Sequence, residues 1–186
     1  MKKIDNFENI EATTGEYSRP TAGGYACKII DVEDVAMNSQ TGKGDYLKIN
    51  YDIAFGDFNE YYKEQFDRWG GYWKANFIRS YKEKAQGMFK HFINCVEKSN
   101  SGFTWEWNEK ELINKVVGLV LGEEEYENRN GEVRNRLYVA QVCTLEDIEK
   151  GNYKVPPKKK LKKTVDPMAN IDGFEPMPGN VDDIPF

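Results

Sequence analysis

Residues 45–55, Asp-Tyr-Leu-Lys-Ile-Asn-Tyr-Asp-Ile-Ala-Phe, alternate without a break. Leu47, Ile49, Tyr51 and Ile53 fall on one side, and Tyr46, Lys48, Asn50 and Asp52 on the other. Strand side chains switch faces at every residue, so this segment buries its apolar half only as part of a sheet covered on one face. Such a strand needs partners. The stretch 25–35 follows a Pro/Gly turn and is rich in β-formers, and the Gly-rich turn 39–44 joins it to 45–55. A third strand is expected at 60–67, "EYYKEQFD".

Beyond it the period changes. Ile78, Tyr81, Ala85, Met88, Phe89, Phe92, Ile93 and Val96 recur at steps of three and four, the stripe of a helix. "KSNSG" at 98–102 stops it, with Gly102 suited to a left-handed turn. "FTWEWNEKELINK" is expected to form a short strand or turn leading to a helical turn, with Trp105 and Trp107 on one strand face and at least one of them in the core. Segments 116–126 and 133–143 form a hairpin around Asn130-Gly131. "LEDIEKGNYKVP" ends this part with a short helix and a loop. The order is strand, strand, strand, helix, strand, strand. It predicts a mainly β fold: a five-stranded OB-type Greek-key barrel with its helix between strands 3 and 4.

Composition fits one domain with appendages. The chain has 186 residues, read as an N-terminal arm (1–22), the barrel domain (23–150), and a flexible linker with an acidic tip (151–186). From residue 156 the sequence turns to Pro, Gly, Lys, Asp and Asn, the composition of a disordered tail. No stretch has the length and apolarity of a membrane span, and the start lacks a signal-peptide core, so a cytoplasmic location is expected. Cys27, Cys95 and Cys143 are widely spaced and accompanied by one histidine, His91, which gives neither a disulfide framework nor a zinc motif. Packed, reduced thiols are expected. "GKG" lacks the rest of a phosphate-binding loop, His91 lies by the helix stripe, and the acidic run "GEEEYE" reads as solvated surface. No cofactor, metal or catalytic constellation is expected.

The net charge of −5 excludes a generally basic binder. The five lysines after residue 156 balance five acids, so residues 1–155 carry the whole −5, and any polyanion site on them must be local. One face of the second hairpin strand offers Arg134, Arg136 and Tyr138, with Val133, Leu137 and Val139 turned to the core. Tyr46 and Lys48 point outward from the earlier strand. "RWGGYWK" (68–74) sets Trp69, Tyr72, Trp73 and Lys74 around a flexible Gly-Gly. Flat rings stack on unpaired bases while cations follow the phosphates, so this mixture suits single-stranded DNA. The stacking candidates are Tyr46, Trp69, Tyr72, Trp73 and Tyr138. The phosphate candidates are Lys43, Lys48, Lys74, Arg129, Arg134 and Arg136, and the turns 41–44 and 128–131 are loops able to reach over a strand.

The sequence closes on Asp182, Asp183, Ile184, Pro185 and Phe186. Pro185 holds Ile184 extended, Phe186 suits an apolar pocket on another protein, and the acids suit a basic rim. "DDIPF" resembles the C-terminal tip of bacterial single-stranded DNA-binding proteins. The body is similar to bacteriophage-encoded single-stranded DNA-binding proteins, carried by "GEYSRPTAGGYACKIIDVED" (15–34) and "GLVLGEEEYENRNGEVRNRLYVAQVCTLEDIEKGNYKVP" (118–156). The resemblance implies a protein that coats single-stranded DNA in phage replication and recombination inside a bacterial host and recruits replication and recombination proteins through its tip. Multimers are common in such proteins, but no interface stripe stands out in this sequence and the oligomeric state stays open. It departs from the host type in its short linker and its "KKKLKK" insert, which either touches DNA or folds back onto the acidic tip. The rivals are an OB-fold adaptor that binds proteins but not DNA, and a metal enzyme using the acids of 123–127.

Overall fold

The computed structural model describes residues 3, 5–9, 18–38, 40–42 and 44–161. Five strands and three α-helices follow in the order β1 (Gly23–Val35), β2 (Tyr46–Ile53), α1 (Tyr61–Trp69), β3 (Asn76–Ser80), α2 (Gln86–Ser99), β4 (Val116–Glu127), β5 (Val133–Cys143) and α3 (Leu145–Glu149). All strand pairs are antiparallel and the sheet order is β3-β2-β1-β4-β5. β1 is long enough to serve two partners: Cys27 through Val35 pair with β2, and Gly23 through Lys28 with β4. A bulge between Ile29 and Asp31 bends it between the two. The edge strands β3 and β5 approach each other but share no ladder, so the expected barrel is an open five-stranded sheet. With α2 between the third and fourth strands, this is an OB-like arrangement.

The alternation in β2 sets the core. Leu47, Ile49, Tyr51 and Ile53 are all at most 2% exposed, and they meet Cys27, Ile29, Val117, Leu119 and Leu121 from the neighbouring strands. The stripe of α2, Phe89, Phe92, Ile93, Cys95 and Val96, closes the open side. The three thiols are free and buried as expected, and burial pushes that of Cys143 up to about 12. Among the described residues no helix is long and apolar enough to cross a membrane.

Three expectations are corrected. First, 60–67 is not a strand. Tyr62, Phe66 and Trp69 are spaced for a helix, and Asp52 supplies the cap that the local sequence lacks: its carboxylate accepts the N–H groups of Tyr62 and Lys63 at 2.9 Å each. Asp52 is therefore buried at 2% exposure rather than solvated. Second, the third strand is β3, so Ile78 belongs to the sheet opposite Lys48, and α2 starts only at Gln86. Third, Val133 is 58% exposed. The last β1–β4 pair is Gly23 with Leu121, and beyond it β4 and β5 run on as a two-stranded arm with no core beneath its tip.

The chain keeps packing on the sheet past residue 150. α3 starts with a capping box, Thr144 with Asp147. It lies with Tyr153 against Gly24 and Gly118, where a Cβ would sit 2.4 Å from the Tyr153 ring and 2.5 Å from the Thr144 carbonyl. Residues 158–161 then line the free edge of the arm. Lys159 donates its N–H to Glu123 and accepts that of Glu125, both at 2.9 Å, in a parallel bridge. The lysine segment thus contacts the acids of β4. The rest of the tail, including the tip 182–186, lies outside the described residues.

Candidate nucleic-acid interface

The outward face of β1, β2 and β3 is the counterpart of the buried one. Register places Lys28 beside Asp52, Asp31 beside Asn50 and Glu33 beside Lys48, then Asn50 beside Asn76, Lys48 beside Ile78 and Tyr46 beside Ser80. Besides the buried Asp52, two acids share this face. Glu33 takes Lys48 in an ion pair at 3.2 Å, and Asp31 accepts the Asn50 amide at 3.3 Å. Ile78 is half-exposed. A groove of about 430 Å³ runs between this face and α1; its lining includes Lys28, Ile30, Lys63, Phe66 and Trp73 together with the acids Asp52, Glu60 and Asp67.

The α1–β3 connection closes the end of this groove. Gly70 and Gly71 both have positive φ, 64° and 92°, which lets the chain reverse directly after the helix. Trp73 anchors the turn: its indole N–H donates to the Tyr51 carbonyl at 2.9 Å and its ring packs 5.8 Å from that of Phe66. Trp69 and Tyr72 are instead 69% and 78% exposed. The connection therefore holds one ring as a fixed post and presents two to solvent, with Lys74 exposed beside them. Rings with open faces are what base stacking requires.

The arginine-bearing arm is a separate surface, divided from the first by α3 and Tyr153 where they cover Gly24 and Gly118. Arg134 and Arg136 are exposed on it, and no helix overlies them. Both are ion-paired, Arg134 with Glu132 at 2.8 Å and Arg136 with Glu124 at 2.7 Å. Tyr138 packs close over Gly122, and the Lys159 ammonium lies 3.6 Å from its ring centroid. Tyr138 is thus covered by the 158–161 segment, and the arm offers cations rather than an open ring. Arg129 is exposed in the hairpin turn, which Asn128 holds by accepting the N–H groups of Asn130 and Glu132. Lys43 lies outside the described residues.

Of the acids in the run 122–127, Glu124 faces Arg136 and Lys159, and Glu125 faces Lys158 at 3.2 Å. The Leu161 N–H and Lys158 hold Glu125 below the usual carboxylate range. His91 ties α2 to β5, with Nε2 2.9 Å from the Val142 carbonyl. Trp105 packs on Phe89 while Trp107, on an irregular segment, is 81% exposed.

The sheet face therefore gathers Tyr46 and Lys48, the α1–β3 connection gathers Trp69, Tyr72, Trp73 and Lys74, and the arm gathers Arg129, Arg134, Arg136 and Tyr138. Sequence reasoning missed Lys28, Ile30 and Ile78. Lys28 and Ile78 carried a signal in their register against β2, which Ile78's place in an apparent helix stripe obscured. No protein-family model and no curated protein matches the chain.

Proposed function

We propose that the protein binds single-stranded DNA across the outward face of β1–β3, with Trp69 and Tyr72 as stacking platforms and Lys28, Lys48 and Lys74 following the phosphates. The observation that carries this is the pair of exposed rings, Trp69 at the end of α1 and Tyr72 on the turn anchored by Trp73, at the end of a largely polar sheet face that carries Tyr46 and Ile78. Exposed aromatics cost free energy unless they meet a partner, and unpaired bases are the partners that tolerate any sequence. Duplex DNA hides those base faces in its own stack. The tip 182–186 is proposed to recruit replication and recombination proteins independently of this face.

The test is fluorescence titration of the full chain with oligo-dT and a matching duplex. Trp69→Ala with Tyr72→Ala is expected to weaken oligo-dT binding by about 1–3 kcal/mol per lost stack and leave the melting temperature unchanged, because neither ring is buried. Equal binding by this double variant and the parent would reject the assignment.

One observation favours a second reading, an adaptor that binds proteins alone: Asp31 and Glu33 stand on the same face and Glu33 occupies Lys48. The adaptor reading requires that oligo-dT leave tryptophan emission unchanged even at low salt.

A further inference from the structure

β3 is an edge strand, and its last residue, Ser80, leads directly into a second concave surface. This groove of about 600 Å³ lies between one flank of α2 and residues 103–108, lined by Tyr81, Phe89, Lys90, Ile93, Trp105 and Trp107 among others. Its wall is a pair of tryptophans with ring centroids 4.8 Å apart and planes inclined by 38°. Trp105 is the inner member, packed on Phe89, with its indole N–H donated to the Asn108 carbonyl at 2.9 Å. Trp107 is the outer member, 81% exposed, and its backbone has φ 65°. A bulky side chain in the left-handed region is strained, and such residues persist where the surroundings over-determine them. Trp107 thus presents its indole to water with the Trp105 ring behind it.

The charges around the groove divide in two. Lys82, Lys84 and Lys90 are exposed and form no ion pair among the described residues. The acids Glu97 and Glu111 accept the backbone N–H groups of Trp105 and Glu106, at 3.0 Å and 3.4 Å. Lys90 therefore lines the groove, Lys82 and Lys84 stand beside Glu83 on the turn that leads from β3 while the Tyr81 hydroxyl donates to Asp34 at 2.8 Å, and a flat ring backed by a second stands at the far end.

We propose that this groove is a second single-strand site, in which bases of a strand leaving the β3 edge stack on Trp107 while their phosphates pass Lys82, Lys84 and Lys90. The inference rests on the single-stranded DNA reading of the β1–β3 face and extends its path around the molecule. Continuity favours this occupant, since the groove begins where the face ends and Tyr81 belongs to its wall. The longer a bound strand, the more it draws on Trp107.

The test uses the full chain with oligo-dT of roughly 6 and roughly 20 nucleotides, spanning one short and one extended site. Trp107→Ala is expected to melt like the parent, bind the short oligomer equally, and bind the long one about tenfold more weakly, the loss of one stacked base. Trp107→Phe, which keeps a flat ring, is expected to recover most of that loss, and Lys90→Glu to weaken the long oligomer alone. Unchanged long-oligomer affinity in Trp107→Ala, while the Trp69 and Tyr72 variants lose binding, overturns the groove and leaves the sheet face standing. Parent protein that binds neither oligomer overturns both. Trp107 emission that responds to an acidic, aromatic peptide but not to either oligomer assigns the groove to protein docking and overturns the proposal.

Discussion

Asp52, next to last in β2, holds its carboxylate against three backbone N–H groups, those of Ile53, Tyr62 and Lys63, at 2.8, 2.9 and 2.9 Å. Burial raises its pKa and the three donors pull it back, with burial the larger effect. The same side chain that breaks the polar alternation of β2 starts α1, and α1 carries Trp69 to the mouth of the groove. Asp52→Ala is expected to cost about 1–2 kcal/mol for the lost cap, and more for buried donors left unpaired. Urea denaturation measures the stability. A variant as stable as the parent would mean that α1 needs no such cap. Trp73 works similarly: one indole hydrogen bond to the Tyr51 carbonyl fixes the turn that exposes Trp69 and Tyr72.

Among the elements, the 158–161 strap shows how local charge is managed. The acids of β4 would repel a polyanion, yet Lys158, Lys159 and Arg136 lie against Glu124 and Glu125. Exposed pairs of this kind contribute little individually, so the backbone bridge at Lys159 sets their geometry. Glu125 has a depressed pKa, so its contribution is present above the ordinary glutamate value and is lost as pH falls through the folded one. The strap is expected to loosen in that acid window, read from the Glu125 and Lys159 amide resonances during an acid titration. Resonances that stay fixed until the whole domain unfolds would contradict it.

For the whole molecule, the question is how an acidic chain holds a polyanion. The net charge of −5 acts against binding at long range, but salt screens it beyond about 8–10 Å, leaving local cations to decide. Oligo-dT affinity is therefore expected to fall linearly with salt on logarithmic axes, with a slope of about −0.7 for each neutralised phosphate of a single strand. Lys74→Ala should shallow the slope by roughly that amount, because one contact is lost. A flat salt profile would exclude phosphate contacts and point to the adaptor.

Much of this was settled by local sequence. The alternation of 45–55 fixes which half of β2 is buried, the stripe from Phe89 to Val96 fixes the inner side of α2, and Asn130-Gly131 places the turn between β4 and β5. These features need only neighbours a few residues away. The third strand, the cap of α1, the fate of the lysine segment and the placing of Lys159 over the Tyr138 ring depend on partners far along the chain: β2 for Ile78, Asp52 for α1, Glu123 and Glu125 for Lys159. Pairing and capping are satisfied through space, so a short segment of mixed polarity such as 60–67 fits either period until its neighbours are in place. Those long-range contacts decide which rings are anchored and which stand in water.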